Sequence, residues 1–131
     1  MYYKLLFLIM MVFLHIVDDY YLQGILTSMK QKDWWKENAP DKKYENDYIM
    51  ALIMHSFSWS FMIMIIPAII ALRVSYQPNT VALHLILTFV GNVFVHASID
   101  HKKANLKQIN LIQDQIIHLT QIAFTWLLFV A

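Results

Sequence analysis

Seven residues of this 131-residue chain have the types and spacing to do chemistry together: His15 and Asp19, His55, His96 and Asp100, and Asp114 and His118. Three His/Asp pairs are four residues apart, and four residues turn a helix by ~400°, so both members of a pair face one way. All seven lie in segments that are otherwise strongly apolar. An Asp at the middle of a membrane-spanning helix costs roughly 2.5–3.5 kcal/mol, so three of them turned toward lipid would be prohibitive. The polar side chains must then converge. Imidazoles mixed with carboxylates inside an apolar bundle are the donor set of a divalent transition metal. Zinc suits these donors best, with manganese and iron as alternatives. Seven candidates exceed what one tetrahedral site can use, which favours two ions bridged by an aspartate over one.

Asp18 is also one helical turn from His15, so spacing alone does not choose between Asp18 and Asp19 as the ligand. An unligated carboxylate such as Asp18 would be placed to act as general base on metal-bound water. Gln23, Ser56 and Gln115 are candidates to orient ligands or substrate, although amides and hydroxyls equally serve to pack membrane helices. His84, three turns from His96, reads as structural, and His101 beside Lys102 and Lys103 as solvated.

The elements that must position these residues are apolar. Hydrophobic residues make up 59% of the chain and charged residues 15%, against about 25% charged in an average soluble protein. The net charge of +1 gives no electrostatic footprint for nucleic acid, and the absence of cysteine excludes disulfides and thiolate chemistry. Four hydrophobic segments, about 2–26, 48–73, 78–101 and 107–131, predict an all-α, four-transmembrane-helix antiparallel bundle as a single domain. The first is a retained helix, since Leu5–Val17 runs into polar His15–Asp19 without a small-residue cleavage site. Between the first two lies the polar loop 27–47, with five lysines, five acidic residues and an interfacial Trp34-Trp35 pair. Its lysines read as topology determinants and lipid-phosphate contacts.

The first and third loops carry eight lysines between them, whereas the opposite side has only Lys4 and Arg73. The positive-inside rule then places the lysine-rich loops in the cytoplasm and both termini outside, in a bacterial inner membrane. In that topology all seven His and Asp residues fall in the cytoplasmic half of the bundle. A matched depth on four helices is what a shared site requires.

His15-Ile-Val-Asp-Asp19-Tyr-Tyr-Leu-Gln23, Ala51-Leu-Ile-Met-His55, His96-Ala-Ser-Ile-Asp100-His-Lys and Asp114-Gln115-Ile-Ile-His118 occur in that order. In these four motifs the chain resembles the small prokaryotic and phage membrane proteins grouped as domain of unknown function 3307. The resemblance spans nearly the whole chain and implies a polytopic membrane protein with a polar His/Asp centre. It favours Asp19 over Asp18, supports Gln23 and Gln115, and implies no particular reaction.

A metal at the inner leaflet can lower the pKa of bound water to about 7. The sequence therefore points to a metal-dependent hydrolase acting on a lipid, a lipid-linked phosphate or another amphiphile from the cytoplasmic side. The alternatives are a metal or proton conduit, alone or as a homo-oligomer, and a phage or host membrane factor whose His/Asp cluster is structural.

Overall fold

A computed structural model describes residues 2–131. Its six α-helices are α1 (Tyr2–Val17), α2 (Leu26–Met29), α3 (Lys32–Asn38), α4 (Asp47–Val74), α5 (Pro78–Ala104) and α6 (Leu111–Phe129), with no strand among the described residues. Three stretches are long and apolar enough to cross a membrane: Tyr2–Leu22, Lys42–Val74 and Pro78–Ala104. The last helix, α6, has 19 residues. At 1.5 Å per residue it is about 28 Å long, close to the ~30 Å of a hydrocarbon core.

Local chemistry fixes the ends. α1 does not stop at Val17 but opens into a π-helical turn, Asp18–Leu22. Gly24, at φ +50°, ends it in a left-handed conformation that glycine adopts without strain. The first segment is thus shorter than the expected 2–26. Loop 27–47 is also less irregular than its composition suggests, since it contains α3 and a 3₁₀ turn, Lys42–Tyr44, capped by the Asp41 carboxylate. Pro67 lies within α4, which continues for its full 28 residues. Pro78 occupies the first turn of α5, where its missing N–H has no partner to lose. Asn110 and Gln113 form a reciprocal capping box that starts α6 at Leu111, four residues later than the hydrophobic pattern indicates.

Neighbouring long helices run in opposite directions. The three-residue turn 75–77 folds α5 back on α4, with Phe57 against Phe89 and Tyr48 stacked on His101. On α5 and α6, Asn92 meets Thr125 at one level and Asp100 meets His118 at another. On α1 and α6, Lys4 meets Trp126 and His15 meets Gln115.

Burial is inverted relative to a water-soluble domain. Among the described residues eleven apolar side chains are buried, including Met11, Trp59, Ile63 and Ile122, but so are thirteen polar or charged ones. Phe13, Phe61, Phe94, Phe124 and Leu127 are meanwhile exposed on the outer surfaces of the four long helices. Such a surface suits hydrocarbon and not water.

Candidate metal centre

The buried His and Asp residues form one layer near the end where α4 begins and α5 ends. His55 and His96 approach Nε2 to Nε2 at 3.1 Å. Asp100 lies beneath them, with Oδ2 at 2.9 Å from His55 Nε2 and 3.9 Å from His96 Nε2, and Oδ1 at 3.2 Å from His118 Nε2. Asp19 Oδ1 reaches to 3.6 Å from His55 Nε2. His96 stacks between Trp59 and His118, with ring centroids 4.2 and 4.1 Å away. These contacts lock the imidazole planes.

Two ligand sets result, Asp19/His55/His96 and His96/Asp100/His118, and within each the donor atoms lie within 4.8 Å of one another. Each is two imidazoles and one carboxylate, a set that zinc and non-haem iron both accept. At bonds of about 2.0–2.1 Å, a tetrahedral ion holds its donors about 3.3–3.4 Å apart. The separations of 3.1, 3.2, 3.6 and 3.9 Å among these residues bracket that value. Hydrogen bonding alone satisfies the centre poorly. One imidazole nitrogen offers a single N–H or a single lone pair, yet His55 Nε2 has Asp100, His96 and Lys30 within 3.1 Å. Nδ1 of His55, His96 and His118 is buried with no hydrogen-bond partner among the described residues. Four carboxylates, Asp18, Asp19, Asp100 and Asp114, lie in this layer with the ammonium groups of Lys30 and Lys103.

The other sequence candidates support this centre to different degrees. His15 has both ring nitrogens engaged: Trp59 Nε1–H donates to Nδ1 at 2.6 Å, which leaves the Nε2 proton to donate to Gln115 Oε1 at 3.0 Å. In this arrangement His15 braces the centre and offers it no lone pair. Asp114 Oδ1 lies 3.3 Å from His118 Nε2, while its Oδ2 accepts from Lys103 at 2.6 Å and from Gln115 at 3.1 Å. Gln23 and Gln115 do orient site residues, through Asp18 and through His15 and Asp114 respectively. Ser56 does not, because its hydroxyl donates to the Leu52 carbonyl of its own helix at 2.8 Å.

In the π-turn both adjacent aspartates face the interior, Asp18 toward Ser58 and Asp19 toward His55. Asp19 joins the ligand set. Asp18 is fully buried and accepts from Ser58 at 2.7 Å and from Gln23, one hydrogen bond at each oxygen. It lies outside both ligand sets.

Sequence reasoning missed four contributors. Trp59 lies four residues after His55, a same-face spacing that was readable. Ser58 gave no signal of its own. Lys103 is one turn from Asp100, but its partner Asp114 is on another helix. Lys30 differs most from expectation. Taken as one of the topology lysines of the loop, it instead enters the layer and places Nζ 2.5 Å from Asp100 Oδ2 and 3.0 Å from His55 Nε2. His84, exposed at the far end of the bundle, lines an apolar cavity of about 530 Å³ with Lys4 and takes no part in the centre.

Compared with protein-family models, curated proteins and solved structures, the chain matches none.

Proposed function

We propose that the protein is an integral membrane enzyme, a metal-dependent hydrolase acting on a lipid, a lipid-linked phosphate or a similar amphiphile from the cytoplasmic side. The observation that carries this reading is the convergence of His55, His96, His118, Asp100 and Asp19 at ion-compatible spacing inside an apolar bundle. Zinc is the favoured ion. A single ion fits better than two, because the same His96 Nε2 faces both His55 and Asp100, and one lone pair serves one ion. When bound, such an ion supplies a polarised water at neutral pH. The chain's own part is to hold the donors, exclude bulk water and fix His118 between Asp100 and Asp114.

The proposed setting is a four-span antiparallel bundle in the bacterial inner membrane, with both termini outside. Support comes from the apolar outward face of α6, including Ile112, Ile116, Phe124 and Leu127, which gives this shorter helix the same lipid-facing character as the other three. Membrane lipid is the immediate partner.

A second reading is favoured by one observation: Lys30 already gives Asp100 a counter-charge, so the cluster could be purely structural. A conduit is less well supported. The Asn92–Gln121–Thr125 network extends the polar column, but Met11, Ile63, Ile66 and Ile122 fill the interior around and beyond it.

Elemental analysis of protein purified in mild detergent without chelator tests the proposal. About one transition-metal ion per chain is expected, lost in His55→Ala and His118→Ala and retained in His84→Ala. Protein that takes up no metal would remove the hydrolase reading, and a screen of lipid and phosphoester substrates follows if metal is present.

A further inference from the structure

We infer that Lys30 sets the affinity threshold of this centre, a tethered cation seated where the metal binds and displaced when the metal arrives. The inference rests on the metal reading above. Lys30 is not a surface lysine that happens to lean inward. Its side chain is 14% exposed, and its ammonium touches Asp100 and His55, two donors of the proposed ion. A lysine ammonium has three N–H donors and no lone pair. At 2.5 Å from Asp100 Oδ2 and 3.0 Å from His55 Nε2, it fills the space an ion would take between the same atoms. Both cannot be there together.

The backbone that delivers it is clamped from one point. Asn105, at the end of α5, donates from Nδ2 to the Lys30 carbonyl at 3.0 Å and accepts at Oδ1 from the Lys32 amide at 2.6 Å. Lys30 therefore reaches into the layer from a short segment between α2 and α3, on a flexible four-carbon arm that can withdraw without moving α4, α5 or α6.

The consequence is a threshold. A monovalent ion gains nothing by replacing an ammonium of equal charge. Magnesium and calcium prefer oxygen donors and gain little from His55, His96 and His118. A transition ion that bonds imidazole nitrogen gains both the second charge and the nitrogen ligands, so it alone displaces the lysine. Lys30 thus lowers the apparent affinity for every ion by the same factor, and only an ion whose gain exceeds that cost occupies the centre.

The test compares zinc binding by wild type, Lys30→Met and Lys32→Met in detergent, by competition against a chromophoric chelator. Lys32 belongs to the same segment, is more than one-third exposed and pairs only distantly with Glu45, so its loss changes the charge without touching the centre. Lys30→Met is expected to bind zinc at least tenfold more tightly than wild type, and Lys32→Met within twofold of it. Equal zinc affinity in wild type and Lys30→Met would overturn the inference while leaving the metal centre intact. Zinc binding by none of the three proteins would overturn both. If Lys30→Met fails to fold, Lys30→Gln, which keeps polarity without charge, takes its place with the same expected gain.

Discussion

The two halves of the bundle are made by the same four long helices and are held together in opposite ways. Toward the end where α4 begins, the interior is His15, Asp18, His55, His96, Asp100, Asp114 and His118. Toward the other end it is mostly apolar, Met11, Ile63, Met64, Ile66, Leu85 and Ile122, with the Asn92–Gln121–Thr125 network among them. Where hydrocarbon surrounds the helices, burying an apolar side chain gains little beyond close packing, because lipid tails are as apolar as the core. The apolar half therefore contributes dispersion and shape. The polar half has no alternative partners in lipid, so it fixes which helix faces come together and at what register.

This contrast sets the order of effects on mutation. The largest belongs to Asp100→Asn. It keeps the shape but removes the charge that faces His55, His118 and Lys30. Breaking a buried ion pair by removing one partner costs about 3–5 kcal/mol, so thermal unfolding in detergent should fall steeply and metal content should drop to background. A stable, metal-loaded Asp100→Asn protein would show that the layer is not organised around this carboxylate. Ile63→Ala, in the other half, should cost about 2–3 kcal/mol. That is the low end for a buried large-to-small change, since the unfolded chain in lipid is not exposed to water. Metal occupancy should stay at the wild-type level. Loss of metal in Ile63→Ala would mean that the two halves are coupled and the comparison drawn here is too simple.

Much of the polar half was legible in the sequence because helical periodicity is a local property. The i,i+4 spacing of His96/Asp100 and Asp114/His118, together with the high cost of charge in lipid, was enough to expect that they meet. Antiparallel connection of the long helices aligned their depths. What could not be read were interactions set by tertiary approach. Trp59 binds His15 across 44 residues of sequence and Lys30 binds Asp100 across 70. The π-turn at Asp18–Leu22 was equally hidden, since it is stabilised by what it lets Asp18 and Asp19 reach, Ser58 and His55, and not by any propensity of Asp-Asp-Tyr-Tyr-Leu. Lys30 was misjudged for a related reason: in a loop of ten mixed charges, composition gives each lysine the same reading.

That point yields the smallest prediction and the sharpest control. Asp33 and Lys36, on α3, form the same type of pair as Asp100 and Lys30, with N···O at 3.0 Å, but both are about two-thirds exposed. The Lys36 ammonium holds the Asp33 carboxyl below the usual carboxylate range. A carboxyl whose folded pKa is depressed adds stability above its unfolded pKa and loses it as pH falls through the folded value. Any contribution from Asp33 is therefore present at neutral pH and disappears in acid. Exposed pairs are screened by solvent and salt and are worth little, so Asp33→Asn should leave the melting temperature and metal content at pH 7 indistinguishable from wild type. The small residual difference should shrink further as the pH is lowered below 4. If Asp33→Asn instead matched Asp100→Asn in severity, burial would not be what separates the two pairs. The strength of the His/Asp layer would then have to come from ion pairing alone, which an exposed loop supplies as readily as a bundle interior.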